Sequence, residues 1–329
     1  MRRLSVRALA LATTLCLAAF APPFAHSSDV DQHLRDEYQN KMFILRSFYQ
    51  GSSFHFDSEG NLREPAVPGD WTVEGVVRVE NVSLSGDHLK IRGSRLHLGW
   101  DRTAGIEEVH DYDGQKLDKN EKKNRSIEID AELSPGGATA DATDAAFARI
   151  FLSSQDTFTD LVPDYWKPCV RNAVGVADEK DFNSCRFSAE LLAVPGVAIP
   201  GTTPPADSRA NPPAPREIQH LGSPRPPPQA PADGVFHVGR GVAPPRVVSQ
   251  PGVEFTEYAR KAKFQGVVTL KLVVDRSGKP TNVRILSPLG CGLDAQAVRT
   301  VESWKFNPGT KDGEPVAVEI AVETDFHLY

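Results

Sequence analysis

The sequence has few of the residues and motifs that most often carry chemistry. It contains four cysteines, two methionines and nine histidines in 329 residues. It has no G-x-S-x-G, H-E-x-x-H or C-x-x-C motif and no phosphate-binding glycine loop. His55, His88, His97 and His110 do not stand at the spacing of metal ligands. We therefore expect no catalytic residues, no metal site and no cofactor, while an enzyme concealed in the N-terminal half stays open as a weaker alternative.

The chain also lacks a net positive charge. The net charge is −6, which argues against a nucleic-acid partner. The charge is unevenly divided, since residues 235–329 carry 12 basic and 10 acidic side chains, whereas residues 28–234 carry 22 and 33. With a length that suits two domains, this division favours two pieces with different roles.

Long apolar runs are missing except near the N-terminus. Arg2, Arg3 and Arg7 precede an apolar stretch over residues 8–21, which Pro22 ends before it reaches the length of a spanning helix. This pattern predicts a signal peptide over residues 1–27, cleaved near residues 25–28. An uncleaved signal anchor and a lipid anchor on Cys16 are the alternatives.

Three cysteines remain after such cleavage. Cys169 and Cys185 are near enough in sequence to pair in an oxidising compartment, and the closed loop would stabilise the fold by roughly 3 kcal/mol. Cys291 is left without a partner. Metal binding is the rival interpretation, although no second cysteine or histidine stands at ligand spacing beside either one.

Proline is concentrated between the two pieces. Residues 195–231 contain 12 prolines, each of which fixes φ and removes a backbone donor. The segment 195–234 is therefore predicted to be a disordered linker, either a passive spacer or a docking site for a proline-binding partner.

Residues 28–194 are predicted to form an acidic, β-rich α+β domain of no recognised family. Valine-rich or alternating runs predict strands, and two amphipathic runs predict helices. The strands are expected at 44–49, 71–82, 89–98 and 127–133, and the helices at 30–41 and 142–152.

The C-terminal piece reads as a small α+β domain with the order helix, strand, strand, helix, strand. These elements are expected at 254–263, 267–274, 281–286, 293–304 and 316–328. The first two strands form a hairpin, and the second helix returns the chain, so the last strand pairs with the first. The prediction is a three-stranded antiparallel sheet of order 2-1-3 with both helices on one face.

The last strand would then lie at an edge of the sheet. Its apolar and polar residues alternate, which is typical of one buried and one solvated face. An exposed edge has unpaired N–H and C=O groups that an extended peptide can complete. Equally, Glu319, Glu323 and Asp325 could serve only to keep other strands away.

Several short motifs in this piece resemble the C-terminal domain of the TonB family. The motifs are Val253-Glu254-Phe255, Tyr258-Ala259-Arg260, Gly266-Val267-Val268, Val274-Asp275, Gly278-Lys279, Gly292-Leu293-Asp294, Trp304-Lys305-Phe306 with Pro308, and Asp312-Gly313. The resemblance covers about residues 240–329, within a domain placed at 235–329, and the proline-rich stretch before it is also similar to TonB proteins.

The resemblance implies a periplasmic, non-enzymatic protein. TonB proteins couple the proton-motive force of the inner membrane, through the ExbB–ExbD complex, to outer-membrane transporters by gripping an extended transporter segment on the sheet edge. It therefore implies an outer-membrane TonB-dependent transporter as partner, leaves ExbB–ExbD open, and allows a homodimer through this domain. The implied contact strand consists of Val316, Ala317, Val318, Glu319, Ile320, Ala321, Val322, Glu323, Thr324, Asp325 and Phe326.

A second hypothesis assigns the main role to the acidic N-terminal domain. That domain stands between the leader and the linker, where it could bind a ligand or serve a structural role in the envelope. The protein would then transduce no energy, and its TonB-like module would act as a docking adaptor.

Overall fold

The computed structural model describes residues 27–101, 105–108, 125–177, 180–182, 184–198 and 234–328. Nearly all of the predicted signal peptide (1–27) and of the predicted linker (195–234) lies outside these residues. The described part is an α+β protein. None of its helices is long and apolar enough to cross a membrane.

The N-terminal region contains a five-stranded sheet of order β1-β3-β4-β7-β2 and a separate β5–β6 hairpin. The strands are β1 (Met42–Ile44), β2 (Ser53–Phe56), β3 (Val76–Ser85), β4 (His88–Leu96), β5 (Leu98–Asp101), β6 (Gly105–Glu108) and β7 (Ser126–Glu132). The helices are α1 (Ser27–Tyr38), α2 (Trp71–Glu74), α3 (Ala140–Ile150), α4 (Phe158–Leu161), α5 (Lys167–Ala173) and α6 (Ala189–Leu192), with a 3₁₀ turn at Lys180–Phe182.

Alternation locates β7 well, because Ile127, Ile129 and Ala131 are buried on one face of the sheet. The predicted strand at 71–82 is wrong at its start, where Trp71–Glu74 is helical. The Asp70 side chain accepts a hydrogen bond from the Thr72 N–H and so caps this turn. The strand begins only at Val76.

The C-terminal region contains a six-stranded sheet rather than the three-stranded sheet expected. Its strands are β8 (Val235–His237), β9 (Val242–Ala243), β11 (Gly266–Val274), β12 (Pro280–Ser287), β14 (Gly309–Lys311) and β15 (Glu314–Phe326). A second, two-stranded sheet pairs β10 (Arg246–Ser249) with β13 (Lys305–Asn307), and the helices are α7 (Glu257–Lys261) and α8 (Leu293–Glu302).

The three long strands of this sheet have a simple arrangement. β11 lies between β12 and β15 and is antiparallel to both. The extra strands arise because short segments add beyond β15: β14 and β8 pair with it directly, and β9 pairs with β14.

Both regions contribute to one hydrophobic core. The Trp71 ring lies 5.1 Å from the rings of both Trp166 and Phe158. These N-terminal side chains belong to the same buried cluster as Leu293 and Val298 of α8. A second core, around α1, α3 and the five-stranded sheet, belongs to the N-terminal region alone.

Backbone hydrogen bonds also join the two regions. Trp100 donates its N–H to the Leu289 carbonyl at 2.9 Å, and Cys291 donates to the Leu98 carbonyl at 2.7 Å. Gly99 and Gly290 form the bridge between these two bonds. The C-terminal region is thus joined to β5 by main-chain pairing as well as by apolar packing.

The outer edge of β12 is covered by the N-terminal region. Ile285 donates its N–H to the Tyr165 carbonyl at 3.0 Å, and the Ser184 hydroxyl donates to the Leu286 carbonyl at 2.6 Å. Cys169 and Cys185 form the predicted disulfide, which holds the covering segment together, while Cys291 is free and buried. One edge of the C-terminal sheet is therefore occupied within the molecule.

His97 lies at the contact between the regions and makes this contact sensitive to acid. Its ring is 3.7 Å from the Tyr258 ring, and burial together with Arg125 and Arg95 lowers the pKa of His97 to about 3. Since the pKa in the unfolded chain is about 6.5, the native state binds fewer protons between these values. His97 therefore lowers stability as the pH falls from about 6.5 towards 3, at about 1.4 kcal/mol per pH unit.

We expect His97→Phe to remove this part of the pH dependence. The free energy of urea unfolding should fall less steeply between pH 6.5 and 4.5 in the variant than in the parent protein. Parallel slopes for the two proteins would contradict a neutral, buried His97.

Candidate binding edge of the C-terminal sheet

β15 forms because its apolar and polar residues alternate over 13 residues. Even-numbered side chains face the core, and odd-numbered side chains face solvent. The structure buries Val316, Val318, Thr324 and Phe326, half-buries Ala317, Glu319, Ile320 and Val322, and exposes Ala321, Glu323 and Asp325. All eleven residues of the predicted contact strand lie within β15.

The first part of the flank of β15 is not free, contrary to the expected open edge. β14 pairs with residues 314–316 through the turn at Asp312-Gly313. β8 then pairs in parallel with residues 317–319. Val318 and Glu319 therefore already have strand neighbours on both sides, β11 and β8, while Val316 pairs with β14 and Ala317 with β8.

The rest of the flank is open. Among the residues that the structure describes, no strand pairs with residues 320–326 on the side away from β11. We call residues 320–326 the open flank. Its seven residues span about 23 Å at the rise of a β-strand.

Hydrogen bonds around β11 set the direction of the backbone groups of β15. The Val273 carbonyl accepts a hydrogen bond from the Thr281 hydroxyl of β12, so the odd-numbered residues of β11 face β12. The Val268 carbonyl accepts from the Thr324 hydroxyl, so the even-numbered residues of β11 face β15, and their even-numbered partners on β15 face β11 in return. Because direction alternates along a strand, the odd-numbered residues of β15 point their N–H and C=O away from β11. On the open flank these residues are Ala321, Glu323 and Asp325.

Charged side chains line the solvent face of this strand. Glu319 lies 2.8 Å from the Lys271 ammonium and 3.7 Å from the His237 ring, and Lys271 also contacts Asp181 at 2.6 Å. Burial alone would lower the pKa of Lys271, but the hydrogen bonds to Asp181 and Glu319 outweigh it and raise that pKa. The network links β8, β11, β15 and the 3₁₀ turn of the N-terminal region.

The opposite face of the open flank is apolar. Ile320 and Val322 are half-buried and pack against the main core. At the far end the Phe326 ring meets Phe255 edge-on, with ring centroids 5.6 Å apart. A strand placed on this flank would thus have an acidic neighbour on one face and an apolar neighbour on the other.

A concave surface also exists in the N-terminal region. A groove of about 610 Å³ is lined by Tyr38, Phe43 and Phe147 and by the charged residues Arg78 and Asp144, among others. Its size, and its mixture of aromatic, aliphatic and charged lining residues, are typical of sites for small ligands.

Comparison with known proteins concerns the C-terminal region. The family model described as Gram-negative bacterial TonB protein C-terminal matches residues 251–328. The protein TonB of Vibrio cholerae serotype O1 is 33% identical over 86 residues, which are 26% of this chain. The chain carries a TonB-like C-terminal domain. The match spans 35% of the length of the Vibrio protein.

A solved TonB domain gives a partial structural match to the chain. The solution NMR structure of the Pseudomonas aeruginosa TonB CTD is 14% identical, with a TM-score of 0.24. That match covers 28% of this chain and 92% of the Pseudomonas chain.

The TonB match includes the whole of β15 but not the strand that covers its first part. β8 and β9 lie before residue 251, as do β10 and the whole N-terminal region. Sequence reasoning missed the roles of His237, Lys271 and Asp181. The local signal for β8 is only the short run 235–237 between Gly234 and Gly239. Three residues are too few for a periodicity to be recognised, so the strand was not predicted.

Proposed function

We propose that the TonB-like domain binds an extended segment of an outer-membrane transporter by strand addition on the open flank. The observation that carries the proposal is the row of outward-facing backbone groups from Ala321 to Asp325 in a TonB-like domain. An added strand would pair with these groups and cover Ile320 and Val322. The mechanism needs no catalysis and no cofactor.

The wider proposal follows from the kind of partner. We place the protein in the periplasm, exported by the leader over residues 1–27, where its domain can reach outer-membrane transporters. Its role would be in energised transport across the outer membrane. Coupling through ExbB–ExbD would require that the leader stay in the inner membrane as an anchor.

Ala321→Pro tests strand addition directly. Proline removes an N–H that faces the open flank, and proline is tolerated on edge strands where that N–H faces solvent. We expect the variant to fold and to bind at least about tenfold more weakly, because an added strand loses a bond and meets the ring. Binding of the full mature chain would be measured by fluorescence anisotropy. The probes are peptides that tile the periplasmic segments of outer-membrane transporters from the same genome.

Two companion variants make the result specific. Ala321→Ser keeps the N–H and nearly the same volume, so its binding should match that of the parent protein. Val322→Pro removes an N–H that faces β11, and it should instead lower stability by about 3 kcal/mol. Normal peptide binding by Ala321→Pro would refute strand addition, and failure of every transporter peptide to bind the parent chain would refute the partner.

The N-terminal groove supports a second candidate function. A groove of about 610 Å³ with three aromatic side chains in its wall suits a small ligand, in which case the TonB-like domain would act as a docking adaptor. Native mass spectrometry of the protein purified from the periplasm would show a co-purifying small molecule. Spectra of the unliganded mass alone would count against this role.

A further inference from the structure

We infer that the segment bound on the open flank carries basic side chains at two alternate positions and apolar side chains between them. The inference rests on the proposed function, which places a strand along β15. It adds the chemistry of the partner, which the backbone groups alone do not specify.

The basic positions follow from Glu323 and Asp325. Both carboxylates are exposed on the solvent face of the strand, and neither has an ion pair among the residues that the structure describes. Their neighbours across β11 are Thr269 and Val267, which carry no charge. The residues directly opposite therefore supply no cation, and the diagonal neighbour Lys271 is held by Asp181 and Glu319.

Glu319 shows the contrast on the same face. It is half-buried and is neutralised by Lys271, whose ammonium group is shared with Asp181. Its flank is closed by β8. Glu319, beside β8, thus has a cation from within the molecule, whereas Glu323 and Asp325 on the open flank have none among the residues that the structure describes.

Strand geometry turns this difference into a sequence pattern. Side chains directly opposite on paired strands lie about 4.5–5.5 Å apart, close enough for opposite charges to attract and like charges to repel. Residues opposite Glu323 and Asp325 are two apart in the added strand. The residues between and beside them lie over Val322, Thr324 and Phe326, on the apolar face. The expected core of the partner is apolar–basic–apolar–basic–apolar.

Three synthetic peptides test this pattern on the full mature chain. They are TVKVKVT, TVTVTVT and TVEVEVT, each labelled with a fluorophore and measured by anisotropy at low salt. We expect the lysine peptide to bind about tenfold more tightly than the threonine peptide, and the glutamate peptide to bind most weakly. The preference should shrink at high salt, since exposed charges are screened.

Charge reversal in the protein provides the matched control. The double variant Glu323→Lys, Asp325→Lys should reverse the order of the peptides, and Glu323→Gln with Asp325→Asn should abolish the preference. Both substitutions are on an exposed face, so the urea midpoint should stay near that of the parent protein.

The outcomes separate this inference from the function on which it rests. Equal binding of all three peptides, lost in Ala321→Pro, would overturn the charge pattern and leave strand addition standing. Lysine-peptide binding that survives in Ala321→Pro would show a site elsewhere and overturn the inference. Absence of binding by any of the peptides to the parent chain would overturn both.

Discussion

Gly290→Ala is expected to destabilise the protein by about 3–5 kcal/mol, because the glycine is where the two regions pair. A Cβ atom at Gly290 would lie 2.3 Å from the Leu98 carbonyl oxygen and 2.7 Å from the Gly99 Cα. The residue also has φ of 89°, where alanine is strained by about 1–2 kcal/mol. Relief of the clash would break the hydrogen bonds between Cys291 and Leu98 and between Trp100 and Leu289, each worth about 1 kcal/mol.

Gly313→Ala is the matched control. Gly313 has φ of 84°, nearly the same as Gly290, but a Cβ atom there would meet nothing within 4 Å. This variant should lose only the backbone strain of about 1–2 kcal/mol. Urea unfolding would measure both, and hydrogen exchange at Trp100 and Cys291 should accelerate only in Gly290→Ala. Equal losses in the two variants would mean that the Gly99–Gly290 pairing contributes nothing.

Asp294→Ala is expected to lower the free energy of unfolding by about 3–5 kcal/mol, as Gly290→Ala does. The reason is that the Asp294 carboxylate closes the same loop. Asp294 is fully buried, and its two oxygens accept hydrogen bonds from the Leu289 N–H at 2.8 Å and the Gly290 N–H at 2.7 Å. Alanine would leave two buried donors unpaired, at about 1–3 kcal/mol each. The loop that carries the pairing to β5 would also lose its anchor to α8.

Two further variants separate the lost hydrogen bonds from the lost charge. Asp294→Asn keeps one acceptor oxygen, so it should lose less stability than Asp294→Ala. Asp325→Ala, on the exposed face of β15, should change stability by no more than about 0.5 kcal/mol. Urea midpoints of the three variants provide the comparison, and a neutral Asp294→Ala would contradict the anchoring role.

Local patterns in the sequence were enough to find the main strands of the C-terminal sheet. Alternation located β11, β12 and β15, and Asp312-Gly313 marked the turn before β15. The pairing of Cys169 with Cys185 followed from their spacing and the expected compartment. These features depend on neighbouring residues, and neighbouring residues are what a sequence pattern records.

Other features had no such local signal. At residues 71–74 a valine-rich run favoured a strand, but the Asp70 cap and the burial of Trp71 fixed a helical turn. β8 and β9 are two or three residues long and exist only because β15 and β14 offer them partners. The open flank is consequently shorter than the sequence indicated.

The union of the two regions could not be derived from the sequence at all. The Gly292 N–H donates to the Thr72 hydroxyl, although the two residues are 220 positions apart. The partners of such a bond are chosen by the whole packed core, so no window of sequence contains the information. A charge difference between the regions suggested independence, yet surface charge does not report on the apolar faces that meet.

The pairing of Gly99 with Gly290 has a mechanical consequence. A transporter that pulled on β15 would transmit the force first to β11 and then to the loop at residues 289–292, where the main chain is hydrogen-bonded to β5. Tension would pass into the N-terminal half across this joint and the contacts of β12, in parallel with the covalent path through the proline-rich run. That run would bear the full force only after the joint had yielded, so the strength of the joint decides which part of the chain feels the pull.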